Sequence, residues 1–263
     1  MGGTPPLINK VARLMAIQLI AIEGLPEVEP GADLAALICQ AARAQAAPLA
    51  DRELLVVSQK IVSKAEGRLV DLSTVVPSPF AREIALEQKR DPRVVELILR
   101  ESRRIVRMDK GLLIVETHHG FVCANAGVDL SNVGGGEVAS LLPEDPDISA
   151  RKIREGIRAR AGVEVAVIIS DTFGRAWREG LVNVAIGVAG FRPLRSFLGM
   201  RDPQGYPLQA TVQAIADELA AAADLLFGKL DRVPVAIVRG FPYEPGEGSV
   251  QELIRPPDRD LFR

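Results

Sequence analysis

Aromatic residues are scarce in this chain, 4% of 263 positions with a single tryptophan, so recognition of nucleic acid by stacking successive bases is not expected. Cysteine is scarcer still. Cys39 and Cys123 stand far apart, which provides neither a disulfide framework nor zinc-ligand spacing. Both read as small buried apolar side chains. Histidine occurs only as the adjacent pair His118 and His119. Neighbours on a strand point to opposite faces, and no third ligand stands by to complete a zinc site. An excess of positive charge is missing too. The net charge is −2 and the isoelectric point about 5.9, so no global field draws the chain to nucleic acid or to a membrane. No apolar run reaches the roughly 18 residues that a membrane span requires, and residues 1–10 are too polar and Pro/Gly-rich for a secretory signal. The chain reads as cytoplasmic. G-x-x-x-x-G-K-[ST] is absent, which excludes a P-loop, and so are G-x-G-x-x-G and G-x-S-x-G.

What is present is an ordinary globular composition, 48% hydrophobic and 25% charged, over a length that suits one unit with two lobes. Residues 1–14 read as a flexible lead. Residues 15–22 are an apolar, β-branched strand, and Asp33 caps an Ala-rich helix to about Gln45. Residues 53–57 are a buried strand running into a helical turn at 61–67. Residues 79–90 and 92–101 are helices that open on proline. Residues 103–109 and 112–117 form a hairpin turning at Lys110-Gly111, followed by a short strand at 121–124 and a glycine turn at Gly134-Gly135-Gly136. The Pro/Asp-rich stretch 143–149 reads as a linker and lobe boundary, with a helix from about Ser149 to Arg160. Strands are expected at 165–170, 182–188 and 234–239, a turn cluster at 201–207 and a helix at 215–227. Residues 242–263 read as a loosely ordered tail. Strands and helices mix without strict alternation, so the class is α+β.

Two segments carry the chemistry, Ala124-Asn125-Ala126-Gly127-Val128-Asp129-Leu130-Ser131-Asn132-Val133 and Ser170-Asp171-Thr172-Phe173-Gly174-Arg175-Ala176-Trp177-Arg178-Glu179-Gly180. Each sets one aspartate at the end of an apolar run beside small hydroxyl or amide residues. Such an aspartate can hold a divalent cation, and the nearby Arg175 and Arg178 can hold the phosphates that the cation neutralises. Taken singly, Asp129 and Asp171 are better explained as turn and cap residues; taken together with the arginines, they indicate a metal–phosphate site. Thr172 and Asn132 would add neutral oxygens, and Glu218 is a further candidate ligand, although such a glutamate more often lies on a solvated helix face. Ser58, Gln59, Lys60 and Lys64 gather a hydroxyl, an amide and two ammonium groups at a strand end, a set that suits a nucleotide phosphate chain.

These residues resemble the coenzyme F-420-0:L-glutamate ligase family, the gamma-glutamyl ligases of deazaflavin cofactor synthesis. The likeness runs from about Ile17 to Gly240. It is carried by Gly24-Leu25-Pro26, by Ser58-Gln59-Lys60-Ile61-Val62-Ser63-Lys64-Ala65-Glu66-Gly67-Arg68, by the two aspartate segments, by Arg201-Asp202-Pro203, by Ala216-Asp217-Glu218-Leu219-Ala220 and by Val235-Ala236-Ile237-Val238-Arg239-Gly240. Ala176, Leu181, Val182 and Glu29 depart from the family pattern and leave both aspartates intact.

The resemblance implies a GTP-dependent amide ligase with L-glutamate and the deazaflavin coenzyme as substrates. The acceptor carboxylate takes a phosphoryl group from GTP, glutamate attacks the acyl phosphate, and later rounds extend through the γ-carboxyl. Carried over by position, Asp129, Asp171 and Thr172 would bind two Mg²⁺ or Mn²⁺ ions, with K⁺ a further candidate. Leu25, Pro26, Glu27, Val28, Ser58, Gln59, Lys60, Lys64 and Asn132 would contact GTP, while Arg175, Arg178 or Lys60 would stabilise transition-state charge. The implied fold is a two-lobed α+β arrangement over residues 15–241, neither ATP-grasp nor P-loop, forming an intertwined homodimer. The chain ends soon after Gly240, so the nitroreductase-like domain of larger relatives is not expected. Two alternatives use the same residues: a metal-dependent nucleotide phosphohydrolase, and a non-catalytic nucleotide-binding paralogue.

Overall fold

The computed structural model describes residues 16–109, 111–131, 136–228 and 230–260. Strand β1 (Gln18–Ile22) leads through a loop into α1 (Leu34–Ala44). Strand β2 (Leu54–Ser58) runs directly into the short helix α2 (Gln59–Ala65) and then β3 (Leu69–Asp71). Helices α3 (Pro79–Gln88) and α4 (Pro92–Arg100) precede a meander of β4 (Ser102–Asp109), β5 (Leu112–Thr117) and β6 (Val122–Ala124). After β7 (Val138–Ser140) come α5 (Pro146–Ala161) and a long hairpin of β8 (Ala166–Arg175) and β9 (Arg178–Ala189). The short pair β10 (Arg195–Ser196) and β11 (Val212–Gln213), helix α6 (Ile215–Phe227) and β12 (Val235–Arg239) follow. The architecture is mixed α+β with several sheets. Among the described residues no helix is long and apolar enough to cross a membrane.

Helix starts follow one local grammar. Asp33 caps α1 by accepting the Ala36 amide, and Ser78, Asp91 and Asp145 cap α3, α4 and α5, each directly ahead of a first-turn proline. The last of these corrects the expected linker at 143–149. Helix α5 begins at Pro146 because Asp145 takes the Ile148 amide and the following proline needs no hydrogen-bond partner.

The central sheet has the order β1-β12-β2-β8-β9, with β2 and β8 parallel and the other neighbours antiparallel. Where both faces are covered its strands are apolar without interruption, as at 54–57, 166–169 and 235–238. Leu55, Val57, Val167 and Ile169 pack beneath α1 and α5, while Leu54, Val56, Ala166 and Ile168 pack beneath α6. The segment from β3 to β7 carries a third apolar cluster, in which Val94, Val95, Leu97 and Ile98 of α4 meet Leu113 and Val115 of β5.

Two further expectations are corrected. Strand β8 does not end at Ser170 but continues to Arg175, since Asp171, Thr172 and Phe173 pair with Val184, Asn183 and Val182. A polar stretch that reads as a turn is held extended by a partner strand, a tertiary override of local propensity. The C-terminal segment is also docked rather than loose. Tyr243 and Val250 are buried, Tyr243 packs edge-on against Phe191, and Ser249 and Val250 hydrogen-bond to Asp147. The expected turn residues Lys110, Gly134 and Gly135, like Asn132, lie outside the described residues.

Candidate functional site

The parallel pair brings its two chemical segments together at one end. Ser58 and Ser170 are opposite each other in the last register position of β2 and β8. Each strand then presents a polar run, Gln59-Lys60 on one side and Asp171-Thr172 on the other. Ligands of open α/β sheets collect at the carboxyl ends of parallel strands for this reason, because neighbouring chains diverge there and leave backbone and side chains facing a crevice.

The Asp129 segment reaches the same place by a longer route. Asp129 and Ser140 exchange backbone hydrogen bonds, Ser140 N–H to Asp129 O at 2.8 Å and Asp129 N–H to Ser140 O at 3.1 Å. Ser140 ends β7, which pairs with β3, the strand following α2. Just upstream, Asn125, Ala126 and Gly127 take positive φ in succession, 55°, 54° and 71°. Strain of this kind persists only where surrounding packing fixes it. A Cβ on Gly127 would meet the Leu142 side chain at 2.7 Å, so a glycine is required both for the backbone and for the close approach.

Lys60 is the hub. Its ammonium donates to Asp129 Oδ2 at 2.6 Å and to the carbonyl and hydroxyl oxygens of Ser131 at 2.9 Å each. Ser131 in turn donates its amide to Asp129 Oδ1 and its hydroxyl to Oδ2, both at 2.8 Å. One turn along α2, Lys64 pairs with Glu27 of the 25–28 loop, where Leu25 and Val28 turn inward and Pro26 and Glu27 face outward. The two lysines thus each hold one carboxylate.

The two aspartates sit in contrasting environments. Burial works to raise the pKa of Asp129, but the Lys60 ammonium and the Ser131 donors outweigh it and hold the carboxyl below its ordinary range. Asp171 is pushed up to about 6, chiefly by burial. The Thr172 amide opposes that shift, the Asp129 charge adds to it, and Lys60 and the Gln59 side chain oppose it in turn. Asp171 therefore lies within electrostatic reach of Asp129 and lacks an ammonium of its own. Two hard-oxygen carboxylates, one destabilised as an anion, match the donor chemistry of Mg²⁺ or Mn²⁺. Among the described residues no group of three or more His, Cys, Asp or Glu could hold a metal by itself. Mg²⁺ is commonly held in this way, by one or two carboxylates with substrate phosphates and water completing the shell.

The Asp171 environment gives a pH expectation for the metal-free protein. A carboxyl whose folded pKa is raised contributes stability that is fully present below the unfolded value and is lost as pH rises through the folded one. From 3.8 to about 6, the contribution lost is up to about 3 kcal/mol. Asp171→Asn removes the titration, so in EDTA its melting temperature gains on that of the unsubstituted protein between pH 4 and pH 7. An unchanging difference would show that Asp171 is not in the environment described.

The remaining candidates lie elsewhere. Side chains alternate along β8, so Thr172 faces the α6 side of the sheet, opposite Asp171. There its hydroxyl donates to Asn183 Oδ1 at 2.7 Å, and the Asn183 amide approaches Ser170 Oγ at 3.4 Å. Glu218 is exposed on α6, on that same side, and its neighbour Asp217 accepts the Ala185 amide. Arg175 and Arg178 face each other at the exposed tip of the β8–β9 hairpin, where Arg175 donates to the Glu179 carbonyl. Four residues of strand separate Arg175 from Asp171, about 13 Å. Ser58 hydrogen-bonds through its amide to Pro234 O, and its hydroxyl does not cap α2. His118 and His119 occupy the β5–β6 turn, their Nε2 atoms 2.8 and 2.9 Å from Arg100 O and Pro143 O. Two residues were missed in the sequence. Ser131 had a legible signal, since Asp-x-Ser is the spacing at which a carboxylate accepts the amide two residues on. Asn183 had none.

Comparison with known proteins places the chain in a family. The model of the F420-0:Gamma-glutamyl ligase family matches residues 24–240, a span that holds both aspartates, both lysines and the 25–28 loop. The chain is 48% identical over 252 residues to the Coenzyme F420:L-glutamate ligase of Methanothermobacter thermautotrophicus, covering 95% of this chain and all of that protein. It is 45% identical over 268 residues to the protein of the same name from Methanopyrus kandleri, covering both chains fully. With the Methanocaldococcus jannaschii protein of that name it shares 44% identity over 217 residues, 82% of this chain and 86% of the other. Sequence pattern, strand-end geometry and these matches agree: the chain belongs to the F420-0:gamma-glutamyl ligase family.

Proposed function

We propose that this protein joins L-glutamate to the deazaflavin coenzyme F-420-0 at the expense of GTP, then extends the product through γ-linked glutamate. The observation that carries the reading is the gathering of two carboxylates and two ammonium groups at the ends of one parallel strand pair, in a chain of this family. In the first step a carboxylate oxygen of the acceptor attacks the γ-phosphorus of GTP, the bond to the β-phosphate oxygen breaks, and GDP leaves. In the second, the glutamate amine attacks the acyl-phosphate carbonyl, inorganic phosphate leaves, the nitrogen loses a proton and the amide forms. Phosphoryl transfer depends mainly on positioning and on fixed charge. Lys64, released from Glu27, would bind the phosphate chain beside the 25–28 loop. Lys60 would keep its place between Asp129 and Ser131 or turn to the transferring group. Asp129 and Asp171 would hold Mg²⁺ or Mn²⁺, which supplies positive charge against the triphosphate and the entering carboxylate. Thr172 and Glu218 face the other side of the sheet and have no part in this reading.

The same reading makes the protein a homodimer. Trp177 and Leu181 at the β8–β9 tip are 80% and 61% exposed, and Leu198, Met200 and Tyr206 are more than half exposed. Apolar surface of this kind is suited to burial by a second copy.

The test is incubation with Mn²⁺ or Mg²⁺, GTP, L-glutamate and the glutamate-free coenzyme, with products read by mass spectrometry. Mass gains of one or more glutamyl units with matching phosphate release are expected. GTP hydrolysis without a mass gain would replace the proposal with the phosphohydrolase. Lys64→Ala is expected to raise the KM for GTP about tenfold or more, the weight of one charge-assisted phosphate contact, with little change for glutamate. The reverse pattern would move Lys64 to the acceptor side.

A further inference from the structure

A cavity of about 780 Å³ opens between the β5–β6 turn, the start of α5 and the C-terminal segment from Ser249 to Pro257. None of Asp129, Asp171, Lys60 or Lys64 lines it. Its size is that of a site for a coenzyme-sized molecule and far exceeds what one amino acid fills. One part of the wall is ring-faced. His119 stacks on Phe121 with centroids 5.5 Å apart and planes 17° from parallel, and Ile254, Pro256 and Pro257 stand nearby in the lining.

The charges in the lining are not equivalent. Four acids, Glu116, Glu144, Asp145 and Asp147, accompany three arginines, Arg103, Arg151 and Arg255. The acids have partners. Asp147 accepts from Val188 N, Ser249 Oγ and Val250 N, and Asp145 caps Ile148. Glu116 pairs with Arg103 and Arg104, and Glu144 with Arg68. Among the described residues, Arg151 and Arg255 line the cavity without an ion pair or hydrogen bond of their own. The Nδ1 atom of His119 is likewise buried and without a partner. A ring-faced stretch of wall with two guanidinium groups not engaged in ion pairs fits a planar ring system that carries an anionic chain.

One residue of the cavity wall is packed against the strand that carries Asp171. Phe121 lies edge-on to Phe173 at 6.2 Å between centroids, and Phe173 shares a strand face with Asp171, two residues away. The cavity wall and the strand bearing Asp171 thus share one aromatic contact within the core.

We infer that this cavity binds the acceptor coenzyme, with the planar ring against the His119–Phe121 wall and Arg151 and Arg255 on its anionic side chain. The inference rests on the ligase reading and adds the acceptor subsite to it. The full-length protein is titrated into the glutamate-free deazaflavin coenzyme in EDTA without nucleotide, and the ring fluorescence is followed. Arg151→Gln and Arg255→Gln are each expected to weaken binding about tenfold or more, the weight of a charge-assisted guanidinium contact, and to raise the KM for the coenzyme while leaving that for GTP in place. Arg151→Lys is expected to recover part of the loss, which a folding defect would not do. Equal coenzyme affinity in the unsubstituted protein and the double glutamine variant overturns the inference, as does a rise in the GTP KM alone. Failure of the ligase reading is distinguishable from this, because it appears as no glutamyl transfer by the unsubstituted protein, whereas the titration still reports on the cavity.

Discussion

Asp171→Ala and Asp129→Ala each lower glutamyl transfer by on the order of 10³-fold or more, the effect of removing a preorganised electrostatic element from a charge-transfer step. The two variants differ in how they fail. Asp129 shares its carboxylate with Lys60 and Ser131, so its loss strands an ammonium and a hydroxyl and disturbs the 129–131 segment as well as the proposed metal site. Asp171 is the carboxylate without its own cation, and burial works against its charge. Its removal relieves an electrostatic cost and leaves the metal-free fold intact or more stable. Turnover and stability should therefore move in opposite directions for Asp171→Ala, with transfer abolished and the melting temperature in EDTA at neutral pH unchanged or raised. For Asp129→Ala both should fall. Activity near that of the unsubstituted protein in either variant, read by the mass-spectrometric assay, would remove that aspartate from the site.

The second large effect lies in the fold. Asp147 is 8% exposed and serves three donors, Val188 N at 2.8 Å, Ser249 Oγ at 2.7 Å and Val250 N at 3.2 Å. It joins the first turn of α5 to β9 and to the C-terminal segment at a single carboxylate. Asp147→Ala leaves two buried amides without an acceptor, and each such group costs about 1–3 kcal/mol. The expected loss is about 3–5 kcal/mol, or roughly 10 °C in melting temperature for a chain of this size. The same variant should become more sensitive to proteolysis around residues 249–257, since the Ser249 and Val250 hydrogen bonds to the body are gone and, among the described residues, only the Gln251–His119 bond and the Arg192–Glu252 pair remain. A melting temperature within two or three degrees of the unsubstituted protein would mean that other contacts hold the segment.

Much of the molecule was legible in its sequence where the signal is local. Helix α6 spans Ile215–Phe227, the extent that its Ala/Leu-rich run indicates, and Asp33 and the Ser-Pro and Asp-Pro pairs mark helix starts that the structure confirms. Strands β2 and β12 announce themselves as unbroken β-branched runs, because a strand buried on both faces has no polar side to show. What escaped depends on partners distant in the chain. Asp145-Pro146 carries the same start signal as Asp91-Pro92, yet the surrounding acids and prolines resemble a linker. The extension of β8 through Asp171 needs β9 alongside it, and nothing within residues 171–175 states that. The C-terminal segment looks unstructured by composition and is docked by contacts distant in the chain, among them a carboxylate about a hundred residues earlier.

The site divides in the same way. Asp129, Asp171, Lys60 and Lys64 stand out as charged residues at the ends of apolar runs, and the fold brings Asp129 to Lys60 and places Asp171 within their field. That Thr172 and Glu218 lie across the sheet from Asp171 follows from strand alternation, and becomes visible only once β8 is known to continue past Ser170. The 69-residue separation between Lys60 and Asp129 is closed by the β3–β7 pair and the Asp129–Ser140 bridge, contacts that neither segment predicts alone.

The central claim is that Asp129 and Asp171 together hold the divalent metal that accompanies the nucleotide. It is tested most directly by anomalous diffraction from crystals grown with Mn²⁺ and a non-hydrolysable GTP analogue. The account predicts an anomalous peak within about 2.0–2.5 Å of carboxylate oxygens of both residues, with Lys64 turned from Glu27 to the phosphates. Peaks only at Thr172 and Glu218, or nucleotide bound with no manganese at either aspartate, would contradict it.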